Sequence, residues 1–95
     1  MAETRHLKII MRGVAAWNKW RSENSEIANL RGANLQYKNL SGALLRRVLL
    51  TYADLRRANL AQADLSGAYL DHTNLEEANL SGANLTNAVL DGASR

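Results

Sequence analysis

The sequence predicts an all-β solenoid, a column of short stacked strands, capped at its N-terminal end by one α-helix. Leu occupies every fifth position from residue 30 to residue 90, and a small residue, most often Ala, lies two positions before each Leu. A helix turns about 100° per residue and cannot place residues five apart on one face, whereas residues two apart in a strand face the same way. Apolar residues spaced by three and four before residue 22 indicate the helix.

Each five-residue unit is therefore expected to place its small residue and its Leu inside the column. The remaining residues turn a corner, where Gly is frequent. Stacking coils about 4.8 Å apart pairs their backbones and packs Leu on Leu, and each fully buried Leu contributes about 1.5–3 kcal/mol. The predicted core ladder is Leu30, Leu35, Leu40, Leu45, Leu50, Leu55, Leu60, Leu65, Leu70, Leu75, Leu80, Leu85 and Leu90.

The units ANLRG at 28–32, ADLSG at 63–67 and ANLSG at 78–82 resemble the A(D/N)LxX unit of pentapeptide-repeat proteins. The resemblance covers roughly residues 26–94. It implies a right-handed quadrilateral parallel β-helix with four units, hence twenty residues, in each coil. On that basis we expect an N-terminal capping helix and linker over 1–25 and a pentapeptide-repeat β-helix of about three and a half coils over 26–95.

The N-terminal segment is expected to form one amphipathic helix over 4–22, with Thr4 as its N-cap. Its apolar positions are Leu7, Ile10, Met11, Val14 and Trp17. Such a helix could cover the apolar end and the unpaired strand edges of the first coil. Trp17 and Trp20 are interpreted as residues of this cap, with a partner-binding site as the alternative.

Composition disfavours catalysis and redox chemistry. The 95 residues include no Cys, so disulfides and thiolate sites are excluded and a cytoplasmic setting fits. No stretch approaches the length of a membrane span. A filled solenoid offers no concavity for converging titratable groups, and His6 and His72 belong to separate elements. We therefore predict no catalytic residue, no metal and no cofactor.

Charge divides the chain. Residues 1–57 hold 11 basic and 4 acidic side chains, a balance of +7, and residues 58–95 hold 1 and 5, a balance of −4. A candidate basic patch combines one helix face with the first coils and comprises Arg5, Lys8, Arg12, Lys19, Arg31, Arg46 and Arg47. It is either a solvated face or a site for a polyanion. Nucleic acid is disfavoured because no aromatic stacking platform adjoins the patch.

A twenty-residue coil also predicts which outward residues are neighbours. Arg56 and Arg57 should lie beside Glu76 and Glu77. The position before the central Leu is usually Asn or Asp, yet one column contains three apolar residues in a row, and aromatic residues should stack near it. This candidate interaction surface comprises Leu49, Tyr69, Val89, Tyr52 and His72. Packing among ordinary sheet-face residues is the alternative.

The resulting functional hypothesis is a non-catalytic protein-interaction or scaffold module whose partner the sequence does not identify. No second cap is evident at the C-terminal end, so a homodimer through the last coil is expected. Some proteins of the resembled family mimic the DNA bound by type II topoisomerases, which makes a topoisomerase regulator one alternative. Polyanion binding through the basic half is the other. The net charge of +3 argues against mimicry of an acidic rod.

Overall fold

The computed structural model describes all 95 residues, as two helices followed by a column of coils. Helix α1 spans Thr4–Met11 and helix α2 spans Val14–Glu23. Beyond them the strands are reduced to isolated parallel bridges, and every bridge joins residues twenty apart, from Asn29–Leu49 to Asn74–Ser94. Because each unit has five residues, this register gives four units per coil and a four-sided β-helix.

The bridges define four outer faces, which are numbered in chain order. Face 1 carries Asn29, Leu49, Tyr69 and Val89. Face 2 carries Asn34, Asp54, Asn74 and Ser94. Face 3 carries Asn39, Asn59 and Asn79, and face 4 carries Leu44, Asp64 and Asn84. Each face is therefore a column of side chains with one member from every coil.

Backbone pairing between coils follows one rule along the column. The amide N–H of Leu30 donates to the carbonyl of Leu49 at 2.8 Å, and the N–H of Leu49 donates to the carbonyl of Ala28 at 3.0 Å. The same two bonds recur on the other faces wherever a following coil exists. A third bond joins the coils at each corner, as where the N–H of Gly32 donates to the carbonyl of Thr51 at 3.0 Å. Three bonds per side therefore hold the coils in register, although no strand extends beyond a single bridge.

Inside the column the ladder leucines from Leu30 to Leu75 are at most 2% exposed. The last three, Leu80, Leu85 and Leu90, are only partly buried, because no further coil packs on them in this chain. Lys38 stands where most units have Ala, and its side chain is exposed to solvent at the first coil. Between its two ends the interior repeats Ala and Leu, apart from the buried Val48 and Thr73.

The corners use the left-handed backbone region. Five corner glycines adopt φ between 66° and 74°, as the turn chemistry predicts. Eight other corner residues adopt φ between 59° and 63° without being glycine: Tyr37, Arg47, Tyr52, Arg57, Gln62, His72, Glu77 and Asn87. The corner therefore tolerates any side chain that can project outward from this conformation, and glycine is one solution among several.

The Asn and Asp residues of the faces also serve the corners. In nine units the side-chain Oδ1 accepts a hydrogen bond from the backbone N–H two residues later, with distances from 3.0 to 3.2 Å. This is the local turn that Asn and Asp form more readily than other residues. The recurrent A(N/D)L pattern therefore combines an inward Ala and Leu with a side chain that fastens the next corner.

The N-terminal segment differs from the single helix predicted over 4–22. Gly13 separates α1 from α2 with φ 111° and ψ 170°, a conformation that only glycine adopts easily. The predicted N-cap is also wrong: Glu3 occupies that position, without a side-chain capping bond, and Thr4 is the first helical residue. The break lets two short helices lie against the first coil where one straight helix could not follow it.

The two helices supply the hydrogen bonds that a preceding coil would supply. On face 1, the N–H of Asn29 donates to His6 Nδ1 at 2.9 Å, and its carbonyl accepts from the N–H of Glu3 at 3.0 Å. On face 4, the N–H of Leu44 donates to Asn18 Oδ1 and the Leu44 carbonyl accepts from Trp17 Nε1, both at 2.8 Å. Three side chains and the backbone N–H of Glu3 thus complete the first strand edge on two of the four faces.

The two indoles differ in their surroundings. Trp17 is fully buried and belongs to the core cluster. Trp20 is half-buried, and its ring lies 5.2 Å from that of Trp17 and 5.0 Å from that of His6. Together with Ile10, which is also buried, these rings cover apolar surface at the start of the column.

Candidate interaction surfaces

The apolar column of face 1 is continuous. Leu49 is bridged to Tyr69, and Tyr69 is bridged to Val89, so their side chains follow one another on the same outer face. Tyr69 is 44% exposed, and Leu49 and Val89 are partly exposed. At the top of the column Asn29 is occupied by its contacts with α1. Solvent therefore meets a row of three apolar side chains across three coils.

This column lacks the side-chain bond that fastens corners elsewhere. Leu49, Tyr69 and Val89 have no oxygen at the position where Asn or Asp accepts from the backbone, so that bond is lost in three successive coils. In the fourth unit with an apolar residue there, the backbone of Leu44 is bonded by Asn18 and Trp17 of α2. The other three residues receive no hydrogen bond from either helix.

An aromatic pair adjoins face 1 at the corner shared with face 2. The rings of Tyr52 and His72 stack with centroids 4.9 Å apart and planes within 9°. Tyr52 is 68% exposed. His72 in turn lies over Gly92, where a Cβ atom would come within 2.6 Å of His72 Nδ1. The candidate surface is therefore an apolar row bordered by a stacked pair, as its residues were expected to lie.

The predicted basic patch does not form one face. Because the helix breaks at Gly13, Lys19 lies on α2 while the other three helical members precede the break. Arg5 forms ion pairs with Glu26 and, at 3.3 Å, with Glu3, and Lys19 pairs with Glu23 at 3.5 Å. Lys8 and Arg12 are exposed and form no ion pair. Most of the expected positive face is therefore dispersed or neutralised.

Glu26 is the acidic centre of the junction between α1 and the first coil. Hydrogen bonds from Arg5, and then from His6 Nε2 at 3.0 Å, lower the pKa of the Glu26 carboxyl group. The same contact with Glu26 raises the pKa of Arg5. His6 accepts at Nδ1 from Asn29 and donates at Nε2 to Glu26, which fixes its neutral tautomer in this arrangement.

The coil members of the basic patch separate into two groups. Arg31 Nε donates to Asn29 Oδ1 at 3.2 Å. Arg46 Nε contacts Asp64 Oδ2 at 3.1 Å, while the stem of Arg47 lies along the corner, its Cγ within 3.3 Å of the place where a Cβ on Gly67 would stand. Arg46 and Arg47 thus share a corner between faces 4 and 1, and Arg31 lies apart from it.

Arg21 joins that corner, although the sequence analysis did not select it. Its Nη1 donates to the carbonyl of Glu26 at 3.2 Å and its Nη2 to the carbonyl of Arg46 at 3.0 Å. Burial, and then the charge of Arg46, lower the pKa of Arg21. The sequence held no signal for this neighbourhood, because it depends on how α2 lies across the coil.

The second predicted charge cluster lies where the register places it, because Arg56, Arg57, Glu76 and Glu77 line one surface groove. Arg57 Nε contacts Glu77 Oε1 at 2.9 Å, as the twenty-residue register predicts. Arg56 instead pairs with Asp54 of its own unit, with Nη2 and Oδ2 2.7 Å apart. This hydrogen bond lowers the pKa of Asp54 and raises that of Arg56. Arg56 pairs with Asp54 and not with the neighbouring coil because Asp54 belongs to the same unit and already points toward the corner.

Two further observations concern metal ions and membranes. No group of three or more His, Asp or Glu residues is placed to hold a metal ion. Neither helix has the length and apolar character required to cross a membrane. Face 1 with its aromatic corner and the arginine corner between faces 4 and 1 are the candidate surfaces for recognition.

Parallel bridges every twenty residues and a filled Leu interior define a repeat protein of the β-helix class. The chain belongs to the pentapeptide-repeat family: the family described as Pentapeptide repeats matches residues 28–67 and 63–94 in eight copies. The resemblance drawn from the sequence is thereby confirmed. Proteins of this family adopt a right-handed β-helix and are generally structural or interaction modules.

Two solved cyanobacterial structures are similar to the chain. HetL of Nostoc sp. strain PCC 7120, a pentapeptide-repeat protein involved in regulating heterocyst differentiation, is 45% identical over 70% of this chain and 32% of its own, with a TM-score of 0.67. Rfr23 of Cyanothece 51142 is 42% identical over 66% of this chain and 44% of its own, with a TM-score of 0.64. The chain thus spans less than half the length of either protein. A comparison with curated proteins gives no match.

Proposed function

We propose that this chain is a non-catalytic protein-interaction module and that face 1 is its binding surface. The observation that carries the proposal is the partly exposed apolar column of Leu49, Tyr69 and Val89, which lacks the corner bond in three successive coils. Exposed apolar side chains in register are typical of interaction surfaces. Aromatic residues at the centre of such a surface contribute most of the binding energy, which makes Tyr69 its expected anchor.

The borders of face 1 indicate the chemistry of the partner. Arg47 lies along one corner, and the stacked Tyr52 and His72 lie along the other. A partner that presents an apolar strip with an acidic residue beside it would match this arrangement, because opposite charges at the rim select and orient a partner. The rigid column presents these groups at fixed spacing, so little ordering of the module opposes binding.

The test compares two single-charge variants at equivalent positions in one coil turn. Tyr69→Asp introduces a charge into the apolar column, whereas Asn79→Asp adds the same charge on face 3 and preserves the oxygen that accepts from Ser81. Partners captured from the host by the wild type and by both variants are quantified by mass spectrometry. We expect Tyr69→Asp to lose a partner that Asn79→Asp retains. An identical partner set for all three proteins contradicts the proposal.

We also propose that the apolar surface of the last coil takes a second copy of the chain. Leu80, Leu85 and Leu90 are partly exposed there, and their N–H groups have no backbone acceptor in the chain. A twin related by two-fold symmetry would cover the leucines and supply acceptors to the strand edge. Sedimentation equilibrium should then show a monomer–dimer equilibrium that Leu85→Lys abolishes. A wild-type monomer up to millimolar concentration contradicts this proposal.

The topoisomerase-regulator alternative receives little physical support. Mimicry of DNA needs a continuous acidic surface, and this chain has a net charge of +3 with its basic residues on the first coils. A supercoiling assay in which the chain leaves gyrase activity unchanged would agree with the interaction-module proposal. We also propose that the protein is cytoplasmic, because a chain without cysteine is suited to a reducing compartment.

A further inference from the structure

We propose that the groove between the end of α2 and the corner at Arg46 and Arg47 binds a phosphate group, either as inorganic phosphate or as a phosphate monoester. The groove has a volume of about 480 Å³. Three arginines line it, Arg21, Arg46 and Arg47, together with the polar residues Ser22, Asn24 and Ser25. The groove adjoins face 1 at Arg47, but the inference does not depend on the function proposed for that face.

Arg21 is the fixed element of the groove. Two backbone carbonyls, those of Glu26 and Arg46, hold its guanidinium, and the group also lies 5.8 Å from the centre of the Trp20 ring. It forms no ion pair with a carboxylate, and burial together with the charge of Arg46 lowers its pKa. Three of its five N–H donors remain free, and a bound anion would offset the repulsion between the two arginines.

Arg46 and Arg47 add charge that the chain does not fully neutralise. Arg46 uses Nε for Asp64, which leaves its terminal nitrogens available. Arg47 forms no ion pair, and its stem is held along the corner over Gly67. Arg5, Arg56 and Arg57 each contact a carboxylate outside the groove. The groove is therefore lined by two arginines without a carboxylate partner, Arg21 and Arg47, and by Arg46, which is paired only through Nε.

Two features that could repel an anion are partly offset. Glu23 is the one acidic residue of the lining, and its carboxylate pairs with Lys19 at 3.5 Å. The last turn of α2 presents negative carbonyl ends, of which that of Lys19 accepts from Ser22 Oγ at 2.8 Å and that of Trp20 accepts from Asn24 Nδ2 at 2.9 Å. The groove thus keeps a positive balance.

The ligand class follows from the donor set. Guanidinium groups present planar pairs of N–H donors that match the oxygens of a phosphate group. A monoester carries close to two negative charges at neutral pH, which suits three guanidinium groups of which one is paired. The phosphate could be free in solution or carried on a phosphoserine side chain. Both sources present the same group to the groove.

The test titrates ¹⁵N-labelled protein with inorganic phosphate, and separately with a phosphoserine peptide, at constant ionic strength kept by sodium chloride. We expect saturable amide shifts confined to residues 21–25 and 44–47. In Arg46→Gln/Arg47→Gln the apparent Kd should rise by roughly tenfold or more, as expected for lost charge-assisted bonds. Arg12→Gln/Arg31→Gln, which removes the same charge outside the groove, should leave the Kd unchanged. Tighter binding of the peptide would identify it as the source.

Three outcomes would overturn the proposal. The first is the absence of shifts beyond those caused by chloride at equal ionic strength. The second is a set of shifts spread over all basic residues, which indicates screening alone. The third is an equal loss of binding in both double variants. Because Arg46 and Arg47 are exposed, the variants should fold, and a well-dispersed spectrum checks this; Arg47→Gln alone is the fallback, with a smaller increase in Kd.

Discussion

At the residue scale, His6 shows how a side chain substitutes for backbone in this fold. Its Nδ1 accepts from Asn29, whose counterparts in later coils donate to a backbone carbonyl instead. Its Nε2 donates to Glu26 and its ring packs on Trp20. From the sequence, His6 was not expected to take part in catalysis, and its structural role was not predicted. A single histidine on a helix does not reveal which strand edge it will reach.

Replacing His6 by Phe keeps the ring and removes both hydrogen bonds. The Asn29 N–H would be left without its acceptor, and we expect the free energy of unfolding to fall by about 1–3 kcal/mol. Urea denaturation followed by tryptophan fluorescence measures this. His72→Phe is the control, since it keeps the stack on Tyr52 at an exposed corner and should change stability by less than about 0.5 kcal/mol. Equal effects of the two substitutions would contradict the assigned role.

At the element scale, the N-terminal helices show where periodicity stops being informative. Apolar spacing by three and four continues across Gly13, so the pattern fits one helix as well as two. A glycine inside a helix costs only about 1 kcal/mol and does not by itself predict a break. The backbone at Gly13 follows instead from tertiary contacts, because α1 must reach Asn29 while α2 reaches Leu44. No local signal contains that requirement.

The coils show the opposite case. A five-residue period with an inward Leu leaves one orientation for every unit, so the interior could be assigned residue by residue from the sequence. The corners were less predictable, because Tyr37 or Gln62 at φ near 60° has no distinctive sequence signal. Their conformation is set by the coil on each side, which fixes where the chain must turn.

At the scale of the whole molecule, the fold was predictable and the sites were only partly so. The face 1 column follows from register alone, and the bridges from Leu49 to Val89 place it as expected. The groove at Arg21 could not be predicted, since it depends on how two separate elements meet. The spacing of residues along the chain therefore predicts which side chains are neighbours on the surface of the β-helix. The surface where the helices meet the β-helix can be described only from the tertiary structure.

The stability of the column should vary along its axis. Leu55 is fully buried between coils, whereas Leu85 in the last coil is only partly buried. Truncating a buried Leu to Ala removes its burial energy and leaves a cavity, at a cost of about 2–5 kcal/mol. We expect Leu55→Ala to lose an amount in this range and Leu85→Ala to lose less than half as much, because water already reaches that side chain.

Both variants are compared by urea denaturation at micromolar concentration, followed by circular dichroism. Coils contact only their neighbours, so a defect at Leu55 interrupts the column in its middle while one at Leu85 weakens its end. Val48→Ala, at a buried position of the second coil, serves as a smaller truncation in the same core. If Leu85→Ala proved as costly as Leu55→Ala, the last coil would have to be covered in solution, and its cost should then decrease as the protein is diluted.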